Sequence, residues 1–364
     1  MRIEKDTMGE MQVPDDAYYG AQTQRAVENF QISGINLSNS MIKSLAIVKR
    51  SAAIVNNKIG LLDHKRKDAI VKAADEMIQG KYLDQFPIDI FQTGSGTSSN
   101  MNCNEILSNR ASEIMGGKIG SKSPVHPNNH VNLGQSSNDV IPTAIHVAAN
   151  IMLEQELLPA LNKLADILDE KESEFSDIIK IGRTHLQDAT PITLGQEFSG
   201  YSQMIKNGQK RIKNSQLFLS ELAQGGTAVG TGINTNKKFG SLIAKEISLY
   251  TGINFSEAKN HFEAQGAQDA SLELSGALKT LAVSISKIAN DIRWMGSGPR
   301  AGLGELILPA VQPGSSIMPG KTNPVICESI IQVCAQVIGN DCAITIGCQG
   351  GIFELNLMLP LIAK

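Results

Sequence analysis

The sequence predicts a mainly α protein in which long helices pack side by side as a bundle. Three observations carry this prediction. Aromatic residues make up only 4% of a chain that is 41% hydrophobic. Its core is therefore Leu, Ile, Val, Ala and Met, which suits helices on helices better than a sandwich of strands. Apolar residues recur at gaps of three and four along several extended segments. Strand-like runs do not alternate with helical ones, as a doubly wound sheet or a barrel would require.

The first seam is Leu45, Val48, Ala52, Val55 and Ile59. Leu157, Leu161, Leu164 and Leu168 make a second. Leu274, Leu278, Leu281, Ile285, Ile288 and Ile292 make a third, and Ile326, Ile330, Val333 and Val337 a fourth. A period near 3.5 keeps one stripe against a neighbour over many turns, so each stripe is read as core packing. The chain's 364 residues exceed one typical core, and two or three domains are expected.

Composition narrows the function. A net charge of −3 gives no basic footprint for nucleic acid and no polybasic membrane anchor. The start, Met1 to Asp6, is charged and has no apolar core of a secretory leader. No stretch is read as a membrane span. The cysteines are Cys103, Cys327, Cys334, Cys342 and Cys348, an odd set without a CxxC spacing. Free thiols in a reducing compartment, the cytoplasm, are expected rather than a metal or cluster site. Cys327 and Cys334 stand seven apart, as small apolar residues on one helix face. At the other end, Phe353 to Ala363 is an apolar helix-like run without a cap, which predicts that more chain should follow.

Five polar segments separate the helices: Thr93 to Asn104, His126 to Asp139, Gly182 to Thr190, Gly225 to Asn234 and Pro313 to Pro324. Linkers seldom run directly into strong helix starts, and these do, so amides and hydroxyls can converge there on a ligand. Pro313 to Pro324 nearly matches a phosphate loop, but Gly314 and Gly320 enclose five residues instead of four and no strand precedes them. GxSxG is absent, which removes the serine-hydrolase reading. What remains is a loop bounded by prolines and glycines that holds Ser315, Ser316, Lys321 and Asn323. Pro324 is placed as the first residue of the next helix. Such a loop can close over an anion and exclude water.

In the first segment, Thr93, Ser95, Thr97 and Ser98 surround Gly94 and Gly96 at a helix start, where free N–H groups favour a carboxylate. Capping explains one hydroxyl but not four. Gln135-Ser136-Ser137-Asn138-Asp139 repeats the arrangement; capping alone would account for Ser137 or Asn138. A single His is more often a satisfied core residue, but His185 lies in the polar run Gly182 to Ala189. Glu328, just after the Ser315 loop, is a candidate carboxylate to raise its basicity and activate a water between them.

These residues together resemble the class II fumarases of the fumarase/aspartase superfamily. The likeness runs from Gly20-Ala21-Gln22-Thr23-Gln24-Arg25 to Phe353-Glu354-Leu355-Asn356. Gly314-Ser315-Ser316-Ile317-Met318-Pro319-Gly320-Lys321 resembles the superfamily signature, which does not choose among its lyases. The choice rests on Gly182-Arg183-Thr184-His185-Leu186-Gln187-Asp188-Ala189, since aspartases typically carry Gln at the histidine position. Ser95-Gly96-Thr97, Asn100-Met101-Asn102 and Ala228 to Gly232 also look like fumarase.

The resemblance implies a fumarase/aspartase-like fold, whose long central helices form the core of a homotetramer. It implies a mixed, mostly helical N-terminal domain at residues 1–138 and a central long-helix domain at 139–364. The family's small C-terminal helical domain is not found in the sequence. It further implies reversible hydration of fumarate to (S)-malate, as in the tricarboxylic acid cycle, without metal or organic cofactor, at active sites shared between subunits. Ser315 would take the C3 proton, and His185 with Glu328 would serve the departing hydroxyl. Ser95, Thr97, Ser136, Ser137, Asn138, Thr184, Ser316, Lys321 and Asn323 would bind the two carboxylates. His126, Asn128 and Asn129 stand where the family has an accessory dicarboxylate site, but Asn129 replaces an Asp and Ser123-Pro124 replaces basic residues. The alternatives are an aspartate ammonia-lyase of the same superfamily and a catalytically inert structural or binding member.

Overall fold

The structure, a computed structural model, describes all residues from Met1 to Lys364. It is mainly helical, as the seams predict, and its strands are confined to four two-stranded pairs. Two compact units are built from alternating stretches of chain. Unit 1 comprises Met1–Leu153, Gln216–Leu272 and Ala343–Lys364, and unit 2 comprises Glu154–Ser215 and Glu273–Cys342.

Unit 1 opens with an antiparallel hairpin, β1 (Arg2–Asp6) and β2 (Gly9–Val13), followed by α1 (Ala21–Asn29). Its centre is α2 (Asn39–Lys58) and α3 (His64–Ile78). Ser38 Oγ caps α2 by accepting from Met41 N, and Asp63 caps α3 by accepting from Arg66 N. The first seam is buried as expected: Leu45, Val48 and Ala52 are fully enclosed. They share a core with Ile70 of α3, Ile106 and Leu107 of α4 (Thr97–Ile114), and Val140 and Ala144 of α5 (Ser137–Met152). Ile243 of α8 (Phe239–Thr251) completes the same core. The short α12 (Leu359–Ala363) buries Leu359 and Ile362, and Leu359 N donates to Gly94 O at 3.0 Å.

Unit 2 holds α6 (Leu158–Glu174) and a hairpin of β3 (Ile179–Thr184) with β4 (Gln187–Thr193). It also holds most of α7 (Leu194–Leu219), α10 (Asp269–Met295) and α11 (Val325–Cys348). The intervening pieces are β5 (Glu221–Leu222), β6 (Ser256–Glu257) and α9 (His261–Gly266); β7 (Gly351–Ile352) and β8 (Leu355–Asn356) follow α11. At 1.5 Å per residue, the 27 residues of α10 extend about 40 Å. Leu161 and Leu168 of the second seam are buried, as are Leu274, Leu281 and Ile288 of the third.

Two expectations need correction. The fourth seam is not core within one chain: Ile326 is 67% and Val333 53% exposed. An apolar stripe reveals that a helix has a sticky face, but not which surface covers it. The same helix also overturns the reading that no stretch could span a membrane. By length and composition, Val325–Cys348 is apolar enough to do so, with a mean hydropathy of 1.3. That test is passed equally by helices that pack in bundles, and Glu328 and Asp341 interrupt this one. The five cysteines are free; Cys103 and Cys334 are buried as small apolar residues, whereas Cys342 is exposed.

Candidate active site

The predicted residues fall into two groups, one in each unit. In unit 1, Gly96 carries φ +70 as the residue before α4, where a side chain would be strained and would press on Ile141. That turn sets Ser95 and Thr97 side by side, with 2.7 Å between their hydroxyl oxygens. Thr97 Oγ1 in turn lies 2.6 Å from Ser137 Oγ, forty residues later in the chain. Two helix N-termini, of α4 and α5, are thus joined by a chain of hydroxyls.

The start of α5 is built around Asp139. Ser136 Oγ accepts from Asn138 N at 3.2 Å, and Asp139 Oδ1 accepts from Ser136 N at 2.9 Å, a reciprocal cap. Asp139 Oδ2 also accepts from Gly225 N and Thr227 N, at 3.1 and 2.9 Å. Asn138 Nδ2 donates to Ala228 O at 2.8 Å. The Gly-rich segment after residue 225 is thereby tied to the α5 cap. Burial pushes the Asp139 carboxyl above the ordinary aspartate range, against the N–H groups that favour its charge. Together these segments line an open cavity of about 360 Å³, whose wall includes Thr97, Ser136, Ser137 and Thr227. It is of a size for a small ligand.

Some of the wall was not anticipated. Asn132, Gln135 and Thr227 also line the cavity. Behind Asn132 and Gln135 sits Lys49, fully buried in α2. The only sequence signal was a Lys in the apolar run Ala46-Ile47-Val48-Lys49.

In unit 2, His185 and Leu186 form the two-residue turn of the β3–β4 hairpin, at φ +55 and +61. Two successive left-handed residues match the twist of the flanking strands, but neither Gly nor Asn is present to announce the turn. Left-handed non-glycine residues are costly and tend to cluster where function demands them. The turn leaves Thr184 and His185 exposed at the tip. Beside them, Arg183 pairs with Glu305 at 2.8 Å, and Lys180 pairs with the same carboxylate at 2.8 Å, which anchors the hairpin.

The loop from Pro313 to Pro324 is closed on itself. Gly314 N donates to Lys321 O at 2.8 Å and Asn323 Nδ2 donates to Gly314 O at 3.0 Å. A Cβ on Gly314 would stand 2.8 Å from that Lys321 oxygen, so the closure needs glycine there. Ser315 Oγ accepts from both Ile317 N and Met318 N at 3.2 Å. Two N–H donors aimed at one hydroxyl oxygen stabilise negative charge on it. Ser316 and Lys321 are exposed, Asn323 is half-buried, and Glu328 lies in the first turn of α11. The expected His185–Glu328 pair is not formed within the chain, whose one histidine–carboxylate ion pair is His261 with Glu257.

The accessory residues lie elsewhere. His126 Nδ1 accepts from Asn128 N and Asn129 N at 3.1 and 3.3 Å, capping its own turn. Burial, aided by Lys122, holds the His126 pKa below the ordinary histidine range, which favours the uncharged imidazole. Asn128 and Asn129 are exposed.

Residues 9–339 match a family model described as a lyase. Human mitochondrial fumarate hydratase is 57% identical over 365 residues, which cover all of this chain and 71% of that protein. The mitochondrial fumarate hydratase of Saccharomyces cerevisiae is 56% identical over 362 residues, covering 99% of this chain and 74% of its own length. Among solved structures, the class II fumarase of Schistosoma mansoni superposes with a TM-score of 0.97 at 43% identity, over all of this chain and 79% of that one. A fumarate lyase of Brucella melitensis gives 0.93 at 45% identity, over all of this chain and 80% of that one.

Proposed function

We propose that this chain, which belongs to the lyase family and within it to the class II fumarases, interconverts fumarate and (S)-malate. The observation that carries the mechanism is the pair of N–H donors on Ser315 Oγ. A serine hydroxyl is a poor base unless its alkoxide is stabilised, and these two amides, with Lys321 nearby in the same loop, supply that stabilisation.

In this reading Ser315 takes the C3 proton of malate. The resulting carbanion is held as an aci-carboxylate by fixed hydroxyls and amides. Ser95, Thr97, Ser136, Ser137 and Asn138 supply these from unit 1, and Thr184, Ser316, Lys321 and Asn323 from unit 2. His185, with Glu328, then protonates the departing hydroxyl. Donors that are already in place when charge develops need no reorganisation at the moment of reaction. The division at residues 138 and 139 into an N-terminal and a central domain stays part of this proposal.

His185 and Glu328 do not pair within one chain, the apolar stripe of α11 is uncovered, and Val283 and Trp294 of α10 stand exposed although the α10 seam itself is buried. These observations support a homotetramer whose active sites are completed by neighbouring subunits. A sedimentation experiment that finds only monomer at micromolar concentration would reject it. The compartment proposed is the cytoplasm, although the relatives carry mitochondrial names; cell fractionation decides between the two.

The experiment is to mix the chain with malate and follow the ultraviolet absorbance of fumarate. Rising absorbance is expected, and none would defeat the reading. With fumarate and ammonium, formation of aspartate faster than malate would favour the ammonia-lyase instead.

A further inference from the structure

Lys49 is the one large charged side chain that unit 1 buries completely, and the mechanism above does not use it. It sits in α2, and its Nζ donates to Asn132 Oδ1 at 2.7 Å and to Gln135 Oε1 at 3.1 Å. Both acceptors are neutral carboxamides, and both residues line the cavity. Their amide nitrogens are committed to the same turn. Asn132 Nδ2 donates to Gln135 O, and Gln135 Nε2 donates to Val131 O and Leu133 O. The ammonium, which can only donate, therefore sets which way both carboxamides face and holds the turn that leads into the Ser136 cap.

A buried cation normally faces a carboxylate, because the cost of desolvating it is otherwise uncompensated. Lys49 takes part in none of the chain's ion pairs. The titratable groups that face it are Cys103 of α4 and Asp139 of α5. Burial pushes the Cys103 thiol up to about 12, so it carries no charge at neutral pH. Both Asp139 oxygens are engaged by the N–H groups of Ser136, Gly225 and Thr227. Asp139 therefore attracts the ammonium without touching it, and no carboxylate within the chain is hydrogen-bonded to Lys49 Nζ, whose two partners both belong to the cavity wall.

We propose that Lys49 is a positioning residue for a dianionic dicarboxylate in this cavity: it orients Asn132 and Gln135, and its charge is compensated by the occupant. This rests on the hydratase reading of the same cavity.

Desolvation lowers the Lys49 ammonium to about 8. A dianion arriving nearby stabilises the charged form and raises that pKa, so binding above pH 8 takes up a proton. Affinity for a dicarboxylate should then fall as pH rises past 8, by up to about tenfold per pH unit until the raised pKa is reached.

The test uses succinate, a saturated dicarboxylate, titrated into the whole chain by calorimetry at pH 8.5 in two buffers of different ionisation enthalpy. Uptake of roughly half a proton per site is expected. Lys49→Met keeps the apolar stem and should abolish the uptake, weaken succinate binding at pH 7 by about tenfold or more, and raise KM for malate more than it lowers kcat. Lys49→Arg should recover part of the lost affinity. Succinate binding to the wild type without proton exchange would overturn the proposal even if Lys49→Met fails to fold. A folded Lys49→Met chain with unchanged KM and intact uptake would overturn it as well. A wild type that converts malate while failing these tests sinks Lys49 alone, whereas one that neither converts malate nor binds succinate sinks the hydratase reading beneath it.

Discussion

Unit 1 and unit 2 carry their parts of the candidate site in opposite ways. In unit 1 the hydroxyls of Ser95, Thr97 and Ser137 are already hydrogen-bonded to one another, and a buried Asp139 ties the α5 cap to the Gly225 segment. In unit 2 the groups assigned to proton transfer stand at surface features, a strained hairpin tip and a proline-bounded loop. The first arrangement suits binding, which rewards donors that do not have to be ordered when the ligand arrives. The second suits chemistry that starts only when loop and hairpin tip are brought to the substrate.

The most damaging substitution should be in unit 2. Ser315→Ala is expected to lower kcat by about 10²–10⁴, the usual worth of a positioned acid or base. Turnover near the wild-type rate, followed as fumarate absorbance, would remove Ser315 as the base. His185→Asn should impair kcat by about 10² or more while the oligomer persists. If light scattering shows that the assembly is lost, His185 is a structural residue of the turn.

Unit 1 should respond in stability and binding. Asp139→Ala strands two buried N–H groups and a half-buried one, and is expected to cost about 3 kcal/mol in denaturant unfolding. KM for malate should rise as well, because the α5 cap loosens. An unchanged unfolding midpoint would show that the unit 1 cradle is less prearranged than its hydrogen bonds imply.

The smallest effect is the most direct test of strain. Leu186→Gly relieves one left-handed residue and should stabilise the chain by about 1 kcal/mol. If the turn conformation serves His185, the gain in stability comes with lower turnover. Equal turnover would make the turn a matter of hairpin geometry alone.

Much of unit 1 was legible because its signals are local. The gaps between Leu45, Val48, Ala52 and Val55 specify a buried helix face, and the cap-type cluster Gln135 to Asp139 specifies a helix start, although the capping residue is Ser136 with Asp139 and not Ser137 or Asn138. The β3–β4 hairpin was read only as a polar segment, since His185-Leu186 is not a turn pair that announces φ above zero. The stripe on α11 was legible as apolar but not as outward-facing. The His185–Glu328 pairing could be named from a resemblance, yet the single chain does not form it.

By itself, the sequence determined the inventory: mainly helical secondary structure, the capped helix starts, the Gly314 to Lys321 loop, and membership of a family through its motifs. Periodicity, caps and turn residues act over a few positions, so they can be read without the fold. Only the tertiary structure decided which of these meet. It brought Thr97 within 2.6 Å of Ser137, turned the fourth seam outward, and set Lys49 behind the cavity wall without a carboxylate partner. Those outcomes depend on contacts between residues far apart in the chain, where burial and the choice of hydrogen-bond partner are properties of the assembled surroundings and not of any segment alone.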